Sequence, residues 1–538
     1  MFLSRMPRAA FASPALGAVV IRRAFIAAAK ATPRTWTSPR DVRALRTTPS
    51  LMRPSGIDTP VTAEHTPPSS ITTAATDTPP PVSKAPPSTT PLNALHLSQG
   101  AKMVPFAGYS MPLMYPPQTH ILEHNWTREH ASIFDVSHMV QHMFSGPGAL
   151  AFLESLTPAD LVALGPFHST LSVFLVHPTG GIIDDTIITM RASQQQFYVV
   201  TNAGCREKDL LYFKEALRKW KDSSALKEDG EVVHEVLKDW GLIALQGPEA
   251  KDVLAEYLAH VLPPQVEVDL DKVIFGTSFE ASIPASEKVG ERVTVHIARG
   301  GYTGEDGFEI SIPPSPAITE SQIPHPKSPA PTAAASSTVP AHNPTTYITN
   351  MLLRIGGQDK IRMAGLAARD SLRLEAGMCL YGHDLNEDIT PVEASLGWVV
   401  HKRRRADGLF PGGSVIQAQL AKNGTPPEKK RIGLDLGTGG APAREGMKIV
   451  KIGEKGEKEV VGHVTSGGPA ISLKMKNIAM GYVKTGCDKV GTVLGVDVRG
   501  KVREARVVKM PFVPTKYWKG VEGKGKVDAV IKDPSGEA

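Results

Sequence analysis

Two hydrophobic periods alternate along this chain. Apolar residues recur three and four apart, the spacing of a helix, over His120 to Ala131, Asp209 to Trp220, Pro248 to Leu258, Thr346 to Ile355 and Ile361 to Ala376. β-Branched runs at Leu171 to Val176 and Ile182 to Met190 flank the segment His-Pro-Thr-Gly-Gly, which predicts a hairpin. Strands dominate from about Val232 to Ile312. After about Arg431 the chain reads RIGLDL, VVGHVTSG, IAMGYV, TVLGVDV and REARVVKM, with glycine turns between. That pattern predicts a small antiparallel β-barrel. The chain is therefore of mixed α/β (α+β) class, without an internal repeat.

Other stretches lack either period. Residues 57–93 are mostly Pro, Thr and Ser, a composition that buries too little apolar surface to offset ordering entropy. They read as a disordered linker. Residues 313–344 carry nine prolines and only Glu320 and Lys327 among Lys, Arg, Asp and Glu, so they read as a long surface insertion. The organisation expected is a leader at 1–56, the linker, an α/β region of two intertwined domains at 94–415, the barrel at 425–520, and a Gly/Lys-rich tail at 521–538.

Charge changes the picture once it is located. The formal total is +6, but residues 1–56 hold nine Arg and Lys30 against the single acid Asp41, a local balance of +9. The remaining body therefore carries −3, which argues against nucleic acid as a partner. An Arg-rich, acid-poor leader mixing Ala, Phe, Leu and Ile reads as a mitochondrial transit peptide, and a matrix location is expected. Arg22 and Arg23 interrupt the longest apolar run, well short of the roughly 20 residues that span a bilayer, so no membrane partner is expected. Cys205, Cys379 and Cys487 form no Cys-x-x-Cys pair, and neither a disulfide framework nor a thiolate zinc site is suggested.

Four segments could carry chemistry. Alternation in a strand puts Ile183, Asp185 and Ile187 on one face and Ile182, Asp184 and Thr186 on the other. Asp185 then sits on the more apolar face, where a carboxylate is costly unless something bonds it; edge protection or a turn carboxylate is the plainer reading. Glu309 points away from Phe308, Ile310 and Ile312, which usually means solvent. Its strand follows a Tyr-Thr-Gly-Glu-Asp-Gly turn whose glycines allow positive φ or close backbone approach. Arg369 and Arg373 lie one helical turn apart, either in a surface salt-bridge lattice or as a fork offered to a carboxylate or flat heterocycle. The segment His120-Ile121-Leu122-Glu123-His124 matches an inverted zinc-protease helix, but no further carboxylate ligand stands at a distinctive spacing. Lys402 to Arg405 reads as a solvated basic turn that could steer an acidic partner.

Many ordered segments together closely resemble one family: KMVPFAGYSMPLMY, FDVSHM, GGIIDDTIIT, YVVTNAGCREKD, ALQGPEA, GGYTGEDGFEIS, GLAARDSLRLEAGMCLYGHDLNEDITPVEASLGW, VTSGGPAISLKMKNIAMGYV and KMPFVPTKYW. The resemblance is to the aminomethyltransferases (T-proteins) of the glycine cleavage system. It covers about residues 94–520 apart from the insertion. It implies a three-domain, cloverleaf-like folate-binding fold, tetrahydrofolate as co-substrate with no metal, and the lipoylated H-protein as partner, alongside the other glycine cleavage components. The reaction implied passes a methylene carbon from the aminomethyl-lipoyl arm to tetrahydrofolate and releases ammonia.

The same resemblance implies roles for residues. The second acid of Gly-Gly-x-x-Asp-Asp, here Asp185, would be catalytic. Glu309 would accept hydrogen bonds from the pterin, and Arg369, Tyr517, Asn202, Tyr198 and Met139 would line the folate channel. Folate-binding iron–sulfur assembly factors share the fold but carry Lys-Gly-Cys-Tyr-x-Gly-Gln-Glu, where this chain has Ala376 to Tyr381 and then His383-Asp384. A sarcosine or dimethylglycine dehydrogenase would need a flavin domain, for which the chain has no glycine fingerprint.

Overall fold

The structure, a computed structural model, describes residues 86–223, 225–314, 343–520 and 531–532. The expected leader, and most of the linker, insertion and tail, lie outside the described residues. Among the described residues no helix is long and apolar enough to cross a membrane. Part of the segment read as linker is ordered. Ser88–Thr89 pairs in parallel with Tyr109 and Ser110, Leu92 is fully buried, and the Thr90 hydroxyl donates to buried Asp135 at 2.6 Å.

Two sheets build the first part of the chain. One runs, in spatial order, Ser278–Pro284, Arg292–Arg299, Gly307–Ile312, Gly241–Gln246, Ala131–Asp135 and Ile361–Met363. The other runs Ser169–Leu175, Ile182–Met190, Gln196–Thr201, Val140–Ser145 and Val233–Val236. The chain leaves the first sheet after Ala131–Asp135, completes the second, and returns at Gly241–Gln246. The second sheet is thus one continuous stretch of sequence inserted into the first.

Each sheet buries one face under helices, as the apolar spacing requires. On the first, Ile133, Ile243, Leu245, Phe308, Ile310 and Ile312 pack with Val253, Leu254 and Tyr257 of helix Ala250–Val261 and Ile348 and Leu352 of helix Pro344–Gly356. On the second, Phe144, Phe174, Ile188, Phe197 and Val199 pack with Phe152 and Phe213 of helices Ala149–Leu156 and Arg206–Lys221.

The helix expected over Ile361 to Ala376 is shorter. Ile361–Met363 is a strand paired in parallel with Ala131–Ile133, and helix Leu366–Glu375 follows. Gly365 separates them because a Cβ there would fall 2.3 Å from the Leu113 carbonyl oxygen. The helix then lays Ala368 and Leu372 against Phe134, Leu242 and Ala244, on the opposite face of the first sheet.

The C-terminal strands close a barrel in the order Lys429–Asp435, Lys476–Lys484, Lys458–Ala470, Lys448–Ile452, Val493–Val498 and Lys501–Val508. Ile432, Leu434, Val464, Val483, Val496 and Val507 fill it. Asp384, fully buried, ties it to the preceding region. It accepts from Arg373 Nη1 at 2.9 Å, from the Leu380 amide at 3.0 Å and from the Ser466 hydroxyl at 2.8 Å. A fully satisfied buried ion pair such as this is strongly destabilising to break.

Candidate active site

The two sheets, helix Leu366–Glu375 and the inner loops of the barrel surround one cavity of about 1860 Å³. Strand pairing decides which side chains enter it. Asp185 lies opposite Val173, and Ile187 opposite Leu171 and Val200, and all of these line the cavity. Strict alternation fails just before Asp185. The register shifts between Phe174 and Leu175 so that Ile183 has no partner. Ile183 therefore turns into the aromatic cluster around Phe144 and Phe174, while Ile182 joins Val173 and Leu175. The expected three-residue face of Ile183, Asp185 and Ile187 is thus broken by a bulge. Asp184 takes the buried side, with no exposed surface, and Asp185 faces the cavity.

Asn202 joins the two acids. Its Nδ2 donates to Asp184 Oδ1 and to Asp185 Oδ1, each at 2.9 Å, and its backbone N–H donates to Asp184 Oδ2 at 2.8 Å. Burial first, and the Asp184 charge second, push the Asp185 carboxyl up to about 7. Asp185 can therefore hold or yield a proton near neutrality, which is what a general acid–base group needs. The hairpin glycines allow this approach: a Cβ on Gly181 would stand 1.6 Å from the Glu387 carbonyl oxygen.

Glu309 faces the cavity rather than solvent. Its strand neighbours in register are Ala244 and Ala298, too small to cover it. Helix Leu366–Glu375 roofs that face of the sheet and brings Arg369 near Glu309; burial raises the carboxyl, and Arg369 opposes the rise. Arg369 stands over the Tyr302 ring, 5.0 Å from its centroid. Its Nη1 is buried without a hydrogen-bond partner. Arg373, by contrast, spends its guanidinium on Asp370 and Asp384. The two arginines do share a helix face and both reach the cavity wall, but only Arg369 keeps an unpaired N–H.

Tyr517 enters from the C-terminal segment. The Lys516 N–H donates to the Gly304 carbonyl at 2.8 Å, and the Phe275 N–H donates to the Trp518 carbonyl at 2.7 Å. Between these ties the Tyr517 ring stacks on Phe275 with centroids 4.2 Å apart. Burial pushes its phenol up to about 12, and its hydroxyl is buried without a partner. Gly304 holds φ +79°, the left-handed conformation its turn needs.

Met139 lines the cavity, whereas Tyr198 does not. Tyr198 lies beneath it, donating to Gln141 Oε1 at 2.8 Å and meeting the His296 ring edge-on. Sequence reasoning missed Tyr302, Phe275, His138 and Lys208, which also line the cavity. Tyr302 sits inside the Gly-Gly-Tyr-Thr-Gly segment, so a signal was present. Phe275 carried none, because its role depends on stacking with a residue over two hundred positions away. The His138 ring is buried, its Nδ1 has no partner, and burial holds it down to about 4, so it is neutral.

Two other motifs are committed elsewhere. Glu123 accepts from the Tyr115 and Gly365 amides, and His124 bonds Ser371 and Ser472. Among the described residues no group of His, Cys, Asp and Glu side chains is arranged to hold a metal. The run at Lys402 to Arg405 is not a solvated turn but opens a helix, Lys402–Asp407. Arg404 is buried there and donates to the carbonyls of Glu154 and Leu409, while Arg403 pairs with Asp160. Arg403 and Arg404 are spent in this way, while Lys402 and Arg405 stay exposed.

Comparison with known proteins agrees with this geometry. The model of the GCVT N-terminal domain matches residues 92–320 and 338–404, and that of the glycine cleavage T-protein C-terminal barrel domain matches 429–514. A mitochondrial aminomethyltransferase of Saccharomyces cerevisiae is 43% identical over 434 residues, covering 80% of this chain and 95% of its own. The human mitochondrial aminomethyltransferase is 43% identical over 429 residues, covering 80% and 91%. The crystal structure of the glycine cleavage system aminomethyltransferase T of Bartonella henselae superposes with a TM-score of 0.62 at 33% identity, covering 80% of this chain and 99% of that one. With its two sheets, its barrel and the cavity between them, this chain belongs to the glycine cleavage T-protein family, the aminomethyltransferases.

Proposed function

We propose that this protein is the aminomethyltransferase of a mitochondrial glycine cleavage system, acting in the matrix on the aminomethyl-lipoyl arm of an H-protein with tetrahydrofolate as co-substrate. The observation that carries this is Asp185, held by Asn202 on the wall of a cavity that Glu309, Arg369 and Tyr517 also line. The names of the relatives and the Arg-rich leader support the location.

The residues present fit a folate. The buried Arg369 Nη1 and Tyr517 hydroxyl lack partners, a loss of about 1–3 kcal/mol each that a bound ligand would relieve. Glu309 would accept N–H bonds from a pterin edge. When bound, tetrahydrofolate would supply the nitrogens that receive the methylene carbon. The chain's own contribution is orientation and proton handling. Glu309, Arg369 and the stacked Phe275–Tyr517 pair fix the ligand, and alignment of this kind can remove roughly 7–11 kcal/mol of barrier. Asp185, titrating near neutrality, holds the proton that the departing amine requires.

The test is ammonia release from aminomethyl-loaded H-protein. Release that requires tetrahydrofolate, with free lipoyl dithiol as the other product, is expected. Tight folate binding without release would overturn the proposal in favour of a folate-binding relative that transfers nothing.

A further inference from the structure

A third carboxyl lies behind the Asp184–Asp185 pair. Asp209, on the first turns of helix Arg206–Lys221, is buried, and its polar neighbours are the Asp184 carboxyl and the Thr201 hydroxyl. Thr201 is engaged with His142 Nε2 at 3.1 Å. Neither Asp209 oxygen has a hydrogen-bond donor. Asp184, in contrast, takes the two N–H bonds from Asn202. A buried carboxylate with no donor is costly, and two adjacent buried carboxylates cannot both ionise at neutral pH. Donors favour the charged form of the group they reach. The arrangement is therefore satisfied when Asp184 is the anion and Asp209 is an acid whose O–H points at it.

We infer that Asp209 carries the one proton of this pair and is a positioning residue for Asp185, acting through Asp184 and Asn202. The inference rests on the proposed transferase reading for its kinetic consequence, though not for the proton itself. With Asp209 donating, Asp184 keeps its charge, accepts both Asn202 bonds and holds the Asn202 amide in the orientation that also reaches Asp185. That same charge opposes ionisation of Asp185. Burial pushes both members of the pair upward; the Asp209 charge adds to the rise of Asp184, whereas contact with Asp184 opposes the rise of Asp209. The two Asn202 N–H bonds to Asp184 are what place the anion there. The other ionisable groups acting on the cluster are Lys208, whose ammonium donates to Glu387, and Cys205, Tyr381, Tyr302 and Cys379, all four held neutral by burial.

The experiment compares Asp209→Asn with Asp209→Ala in the full chain. The amide variant keeps a neutral donor toward Asp184, so turnover is expected within about twofold of the parent and the acid limb of the kcat–pH profile unmoved. The alanine variant removes the donor, which shifts Asp184 toward its protonated form. Its charge then opposes Asp185 less, and the acid limb is expected to move down by about one pH unit. A shift of the acid limb in either direction in Asp209→Asn would show that Asp209 is normally ionised and overturn the inference. Identical profiles for all three proteins would equally overturn it. A readout independent of turnover is the infrared difference between parent and Asp209→Asn, taken without substrate above the ordinary carboxylate range. A protonated carboxyl band lost in the variant is expected, and no such difference refutes the inference even if transfer proceeds. Absence of folate-dependent ammonia release from the parent would refute the transferase reading while leaving this band to decide the matter of Asp209. If Asp209→Ala does not fold, Asp209→Ser supplies the donor-weakened case.

Discussion

The side-chain amide of Asn202 donates to Asp184 and to Asp185 at the same distance, 2.9 Å. One neutral group thus ties a buried anion to the carboxyl that faces the cavity. Replacing Asn202 with Leu would leave the Asp184 charge short of a donor, at a cost of about 1–3 kcal/mol, and would free Asp185 to turn. A drop in kcat of at least tenfold with little change in KM is expected from steady-state ammonia release. An unchanged kcat would mean that Asp185 needs no such support.

Asp185→Asn removes the titratable group and keeps its shape. Folate binding by calorimetry should stay within a few-fold of the parent, while turnover falls by about 10²–10⁴, the range of a lost acid–base group. Full activity in this variant would falsify the role given to Asp185.

The same substitution has a signed effect on stability. The Asp185 carboxyl sits at about 7 in the folded protein, against about 3.9 when unfolded. The folded state therefore binds the proton more tightly. That contribution is complete below about pH 4 and is lost as the pH rises through about 7. Asp185→Asn should equal the parent at the acid end and exceed it above neutrality, by on the order of a few kcal/mol. Denaturant midpoints measured across that window check the sign, and a variant less stable at alkaline pH would contradict it.

Glu309→Gln exchanges a carboxylate for an amide of equal size beside Arg369. A charge-assisted hydrogen bond contributes about 1.5–3 kcal/mol, so tetrahydrofolate affinity should weaken by roughly 10–100-fold. Titration calorimetry reads this directly. The melting temperature without ligand should rise or stay level, because burial already raises this carboxyl and the substitution removes a charge that is costly to bury.

Asp384→Ala would strand the Arg373 guanidinium, 4% exposed, between helix Leu366–Glu375 and the barrel. Removing one partner of a buried pair costs about 3–5 kcal/mol. The loss should appear in equilibrium unfolding, and substituting Arg373 with Met in the same chain should recover part of it. If the single variant unfolds like the parent, the pair does not couple the barrel to the rest.

Much of this protein was legible in its residues because local patterns carry local structure. Period-two runs predict the hairpin over Leu171 to Met190, helical spacing predicts a helix over Asp209 to Trp220 that the structure extends to Arg206–Lys221, and short glycine-punctuated strands predict the barrel. Ordered motifs of this density identify the family, and they single out Asp185, Asn202, Glu309, Arg369, Met139 and Tyr517 as a group that the fold brings to one cavity wall. What they did not determine depends on groups far apart in sequence. The bulge at Ile183 arises from pairing with Phe174 and Leu175, so no reading of the strand alone could place it. Tyr198 looks like a wall residue until His296 and Gln141 close over it. The basic run at Lys402 becomes structural only because Glu154 and Asp160 lie across from it, and Tyr517 reaches the cavity only because Gly304 and Phe275 hold its neighbours. The pKa of Asp185 depends on burial and on the adjacent Asp184 charge. Periodicity reports which face a side chain leaves from; only the tertiary structure decides what it meets there, because burial and electrostatic coupling are properties of the neighbours.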